Sequence, residues 1–77
     1  MAVDAQDIVQ LTRLQLGLSG VRLEDRLLED LHVSSLDLVN LTVAIEDRFG
    51  ISIREEDAAT LCTVADLHNL VGRLSGS

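Results

Sequence analysis

The sequence predicts a small all-α bundle of three main helices plus one short helix, with a long first loop. Three observations carry that expectation. No stretch alternates apolar and polar residues strictly enough to support a strand. Three stretches repeat apolar residues at helical spacing, each bracketed by capping residues. The 77 residues leave room for a single domain, so 1–77 is expected to fold as one unit.

The first helix is expected from about Val3 to Leu16. Asp4 stands as its N-cap with Asp7 three residues on, and Ile8, Leu11 and Leu14 recur at near-helical spacing. Gly17 and Gly20, flanking Ser19, end it. The connection from about Leu18 to Val33 contains Leu23, Leu27, Leu28 and Leu31, too apolar for a flexible linker. Those leucines are expected to fold over the helices while Glu24, Asp25, Glu29 and Asp30 stay in water. A loop this long within so small a domain is more often functional than not.

The second helix begins at Ser34 or Ser35 and stops at Gly50. Ser34 followed by Asp37 forms a capping box with a shorter acid than the usual glutamate, and Gly50 suits a left-handed C-cap. Steps of 100° place Leu38, Leu41, Ile45 and Phe49 in one arc, continued by Leu36, Val39 and Val43. That arc is wider than a small core requires, so part of Leu36, Leu38 and Val43 is left over as exposed apolar surface. Glu46 interrupts the apolar side. Beyond Ile51-Ser52-Ile53, Glu55 to Leu61 accommodates a short helical turn or two. Thr63 then caps a last helix, with Asp66 at its third position and Val64, Leu67, Leu70, Val71 and Leu74 on its apolar face.

Composition narrows the chemistry. Hydrophobic residues make up 47% of the chain against 25% charged, a balance that buries a core, and Phe49 is the sole aromatic. Thirteen acids against six bases give a net charge of −7. Ten of the acids lie between Glu24 and Asp57. A field of this sign repels nucleic acid and anionic membranes and favours basic surfaces on other proteins. The lone cysteine excludes an internal disulfide. Neither a signal-peptide core within Met1 to Gln10 nor a run of membrane-spanning length is present, so a soluble cytoplasmic protein is expected.

No catalytic or metal-binding pattern emerges. His32, Cys62 and His68 are far apart in sequence and fit no zinc spacing. His32 is expected at a loop–helix junction, Cys62 as a small buried or half-buried apolar residue, and His68 on the polar face of the last helix. Glu55-Glu56-Asp57 reads as a solvated helix start. A Ser35–histidine pair has no nucleophile elbow and no orienting third residue, so an enzyme is not expected. Ser35 itself lies in the first turn of the longest amphipathic helix, where a phosphate ester would face free N–H groups and the positive end of the dipole. On the residues alone, Ser34 and Ser35 serving only as helix caps is the simpler reading.

The segment Leu27-Leu28-Glu29-Asp30-Leu31-His32-Val33-Ser34-Ser35-Leu36-Asp37-Leu38-Val39 resembles the signature of acyl carrier proteins, in which an Asp-Ser-Leu core follows a Glu-Asp-Leu stretch. Glu46 to Ile53, Glu55-Glu56-Asp57-Ala58 and Thr63-Val64-Ala65-Asp66-Leu67 resemble further stretches of that family, in order and without large gaps. The resemblance implies that Ser35 receives a 4′-phosphopantetheine arm from coenzyme A through a phosphopantetheinyl transferase. The arm's thiol then holds an acyl group as a thioester. It implies a monomeric shuttle, visiting acyl-loading, synthase and tailoring enzymes of a polyketide, fatty-acid or related specialised pathway. Family docking uses the second helix and the preceding loop, which here implies Leu36, Asp37, Asn40, Val43, Glu46 and Asp47.

Three positions depart from the family pattern. Ser34 replaces the usual Asp before the modified serine, His32 a usual Gly, and Asn40 a frequent acid. Two alternatives stand beside the acyl carrier: an aminoacyl or peptidyl carrier, and an unmodified interaction module with the same fold.

Overall fold

A computed structural model of the chain describes residues 3–76. Four helices follow in order: α1 (Ala5–Leu16), α2 (Ser35–Phe49), α3 (Glu55–Ala58) and α4 (Val64–Leu74). The described residues contain no strand, only an isolated antiparallel bridge between Arg26 and Thr63. The all-α expectation and the long first loop match this architecture.

Each main helix starts where its cap requires. The Asp4 carboxylate accepts the Gln6 N–H at 2.9 Å, so α1 begins at Ala5 and not at Val3. Ser34 and Thr63 both close full capping boxes, with Asp37 and Asp66 as the answering acids. Gly17 and Gly50 end α1 and α2 at φ of 68° and 65°, left-handed conformations that glycine adopts without a Cβ penalty. α4 runs through Gly72 to Leu74.

α1 packs against α2 and α4 around an aliphatic core. Ile8, Leu41, Ile45, Val64, Leu67 and Val71 are fully buried there. Among these buried residues Thr12 is the polar exception, and its hydroxyl has no hydrogen-bond partner among the described residues.

The first loop is anchored by Val21, Leu27 and Val33, all buried. Of the four leucines expected to fold inward, Leu27 is buried and Leu31 half-buried. Leu23 and Leu28 point outward, Leu28 with 69% of its surface exposed. Backbone bonds hold this loop as well as its buried side chains. The Leu27 N–H donates to the Cys62 carbonyl at 2.8 Å, and the Val64 and Ala65 N–H groups donate to the Asp25 and Leu23 carbonyls at 3.1 and 2.9 Å. Loop carbonyls thereby satisfy N–H groups at the α4 start that otherwise lack helical partners. Arg26 steadies the outside of the loop, paired with both Glu29 and Asp30.

Two single-residue expectations are corrected. Cys62 is exposed, neither buried nor half-buried: its carbonyl is held by the Leu27 N–H beside the Arg26–Thr63 bridge at the surface of the loop. His68 is half-buried on α4, and its Nε2 lies 2.8 Å from the Val3 carbonyl, tying the chain's start to the last helix.

Candidate functional site

The loop and α2 together fix Ser35. Val33 is buried two residues before it, and His32 turns the chain with a φ of 55°. Ser34 then caps the helix: its Oγ accepts the Asp37 N–H at 3.1 Å, and the Asp37 carboxylate accepts the Ser34 N–H at 3.2 Å. Ser35 is thus the first residue of α2, exposed, on backbone held from both sides. Among the described residues its hydroxyl has no hydrogen-bond partner, and neither do the Ser35 and Leu36 N–H groups. The cap therefore belongs to Ser34 alone, leaving the Ser35 oxygen free. An ester phosphate on that oxygen would lie near unpaired amide donors at the positive helix end, so the residues present fit a phosphate-linked arm.

An apolar groove of about 400 Å³ opens beside the same hydroxyl. Ser35, Leu38, Val39 and Thr42 of α2 line one side. Ile53, Ala58 and Ala59 line the other, with Arg54 and Glu55 also contributing. Thr42 adds little polarity, because its hydroxyl donates to the Val39 carbonyl at 2.9 Å. The Ser35 hydroxyl thus stands at the rim of a largely aliphatic surface.

The other residues named from the sequence divide into two groups. Leu36, Asn40, Val43 and Asp47 are all exposed and follow one another at three- and four-residue spacing along α2, forming a single stripe. Leu36 is 69% exposed and Val43 48%. Asp37 and Glu46 do not join this stripe as free acids. Asp37 is half-buried in the capping box, and the half-buried Glu46 accepts the Ile53 N–H through Oε2 at 2.7 Å. Val39, 56% exposed, was read as part of the apolar arc, yet it borders both stripe and groove. Its position three residues after Leu36 and four after Ser35 is the signal that locates it. Nothing in the local sequence pattern indicated that Ile53 and Ala58 would face α2 across a groove.

Three groups away from the groove, two carboxylates and one guanidinium, are perturbed. Asp30 lies below the usual carboxylate range, first because the Arg26 backbone N–H donates to it at 2.8 Å and next through the Arg26 side chain. Arg26 is pushed above its ordinary value by the hydrogen bond to Asp30 and the nearby Glu29 charge. Asp66 is lowered by the backbone N–H groups of Thr63 and Cys62, at 3.1 and 3.0 Å. All three belong to loop anchoring and capping. Among the described residues, no three of His, Cys, Asp and Glu gather as a group able to hold a metal ion. No described helix is long and apolar enough to cross a membrane.

Comparison with known proteins agrees with this geometry. A family model described as the phosphopantetheine attachment site matches residues 6–71. An acyl carrier protein of Campylobacter curvus is 34% identical over 71 residues, spanning 92% of this chain and 91% of its own. One from Campylobacter jejuni is 35% identical over 66 residues, 86% of each chain. The crystal structure of an acyl carrier protein from Thermotoga maritima superposes with a TM-score of 0.74 at 25% identity, covering 90% of this chain and 82% of that one. The 3,5-dioxohexyl carrier of the actinorhodin polyketide synthase from Streptomyces coelicolor superposes with a TM-score of 0.77 at 24% identity, covering 96% and 92%; that likeness concerns the fold. Family members bear a covalent 4′-phosphopantetheine and are carriers, not enzymes. With the attachment-site model covering nearly all of its four helices, the chain belongs to the acyl carrier protein family.

Proposed function

We propose that Ser35 is the attachment residue and that the whole chain acts as one monomeric, cytoplasmic carrier domain. It holds acyl intermediates as thioesters for a polyketide, fatty-acid or related specialised pathway. One observation carries the reading: the Ser35 hydroxyl is exposed, unbonded and fixed at the start of α2, at the edge of an apolar groove. The bound arm supplies the thiol that forms the thioester. The chain's own residues supply the rest. Ser34 and Asp37 hold the attachment point, α2 and α3 offer an aliphatic surface to the cargo, and the stripe of Leu36, Asn40, Val43 and Asp47 meets the transferase, loading, synthase and tailoring enzymes.

An exposed acid such as Asp47 beside apolar contacts gives weak, fast encounters with basic partners that salt screens, which suits a shuttle. The test is transfer. The chain is charged from acetyl-coenzyme A with a phosphopantetheinyl transferase and presented to a condensing enzyme. Acyl transfer should be slowed by Asp47→Lys, and that difference should shrink at high salt. Transfer of an amino acid from an adenylating enzyme, with no acyl transfer, would overturn the acyl reading.

A further inference from the structure

We infer that Glu46 is a positioning residue for the groove beside Ser35 and not one of the acids that meets a partner. The inference rests on the reading that Ser35 bears an acyl arm whose hydrocarbon lies in that groove.

Glu46 stands on the apolar side of α2, where a free docking acid is misplaced, and it is half-buried there. Its carboxylate reaches forward seven residues to accept the Ile53 N–H at 2.7 Å. Its backbone carbonyl accepts the Gly50 N–H at 2.8 Å and the Ile51 N–H at 3.3 Å. One residue therefore closes both the end of α2 and the chain that follows. Ile53 is the first groove residue after that turn, and it also packs against the core.

The wall beyond Ile53 has little else to fix it. α3 is four residues long, buries none of them, and its N-cap Arg54 makes no side-chain capping bond. Its ion pair to α4, Arg73 with Asp57, spans 3.7 Å and uses an exposed guanidinium. An exposed pair of that kind holds geometry weakly, whereas a half-buried charge-assisted N–H···carboxylate bond is strong and directional. Asp47, next in sequence, is exposed and free to meet a basic partner. The adjacent acids thus have different tasks, one inward and one outward.

Amide exchange on the unmodified chain tests the hydrogen bond without any arm. Native protein, Glu46→Gln and Glu46→Ala are compared at low and high salt, with the Leu67 amide in α4 as the control for global stability. Glu46→Ala should speed Ile53 exchange by about tenfold while Leu67 changes less than about twofold, and Glu46→Gln, which keeps an acceptor oxygen, should stay within about threefold of native. These ratios should not depend on salt. Ile53 exchange unchanged in Glu46→Ala, or raised equally by Ala and Gln, overturns the inference. Should Glu46→Ala fail to fold, Glu46→Gln decides alone: retained Ile53 protection supports it and lost protection overturns it.

A second arm uses chains loaded with a hexanoyl-phosphopantetheine group. Hydroxylamine should cleave that thioester several-fold faster on Glu46→Ala than on the native chain, and equal rates overturn the groove role. If the native chain cannot be loaded, the carrier reading fails, while the exchange data still decide whether Glu46 holds the wall.

Discussion

Ser34 and Asp37 hold each other across the first turn of α2. The serine hydroxyl accepts the aspartate N–H at 3.1 Å, and the aspartate carboxylate accepts the serine N–H at 3.2 Å. The pair fixes the first residue of the helix, Ser35, without using the Ser35 side chain. Family members usually carry Asp before the modified serine, and either side chain suits an N-cap. Ser34→Ala should therefore lower stability by about 1 kcal/mol, while Ser34→Asp is close to neutral. Ser35→Ala should change stability by less than about 0.5 kcal/mol. Urea denaturation measures all three, and a Ser35→Ala loss equal to that of Ser34→Ala would contradict this division of roles.

Thr12 buries a hydroxyl that has no partner among the described residues, in an otherwise aliphatic core. Leaving such a group unpaired is unfavourable, and valine has nearly the same shape without it. Thr12→Val should raise stability by about 1 kcal/mol, seen as a higher urea midpoint with an unchanged slope. A destabilised variant would mean that the hydroxyl has a partner.

His32 holds a φ of 55°, the only positive value at a non-glycine residue among those described. That conformation explains why the corresponding family position is usually Gly. His32→Gly should stabilise the chain by about 0.5 to 1 kcal/mol, and His32→Val should destabilise it, because a β-branched side chain tolerates positive φ poorly. Thermal unfolding distinguishes the two substitutions, and a loss with Gly would contradict the assigned turn.

Acid sensitivity follows from Asp30 and Asp66. Both carboxylates sit below their ordinary range because backbone N–H groups donate to the charged form. A carboxylate depressed on folding contributes stability above its unfolded value of about 3.9 and loses it as pH falls through the folded value. Their contribution should be level above about pH 5 and decline below about pH 4. Asp66→Asn should flatten that decline when unfolding is followed from pH 5 to pH 2. An unchanged slope would show that Asp66 is not one of the groups responsible.

Local pattern made most of the helices legible. Asp4, Ser34 and Thr63 marked three starts, Gly17 and Gly50 two ends, and helical spacing marked Leu41, Ile45, Leu67 and Val71 as core. The place of Ser35 at the start of α2 was legible because a helix start is a local feature, whereas its role as the attachment residue came from the family resemblance and is a proposal. The first loop was harder to read. Its leucines suggested burial, but Leu23 and Leu28 are exposed, and backbone pairing to Cys62, Val64 and Ala65 holds the loop along with buried Val21, Leu27 and Val33. Such pairing spans more than thirty residues and leaves no periodic trace. The interruption at Glu46 was visible in the helical arc, but its cause, the N–H of Ile53, appears only once the chain turns back at Gly50.

Intact mass tests the central claim most directly. Native chain and Ser35→Ala are incubated with coenzyme A, magnesium and a broad-specificity phosphopantetheinyl transferase, with Ser34→Asp alongside. One phosphopantetheine added to the native chain and none to Ser35→Ala is the predicted result. Addition to Ser35→Ala, or no addition to either the native chain or Ser34→Asp, would contradict the assignment of Ser35 as the residue that carries the arm.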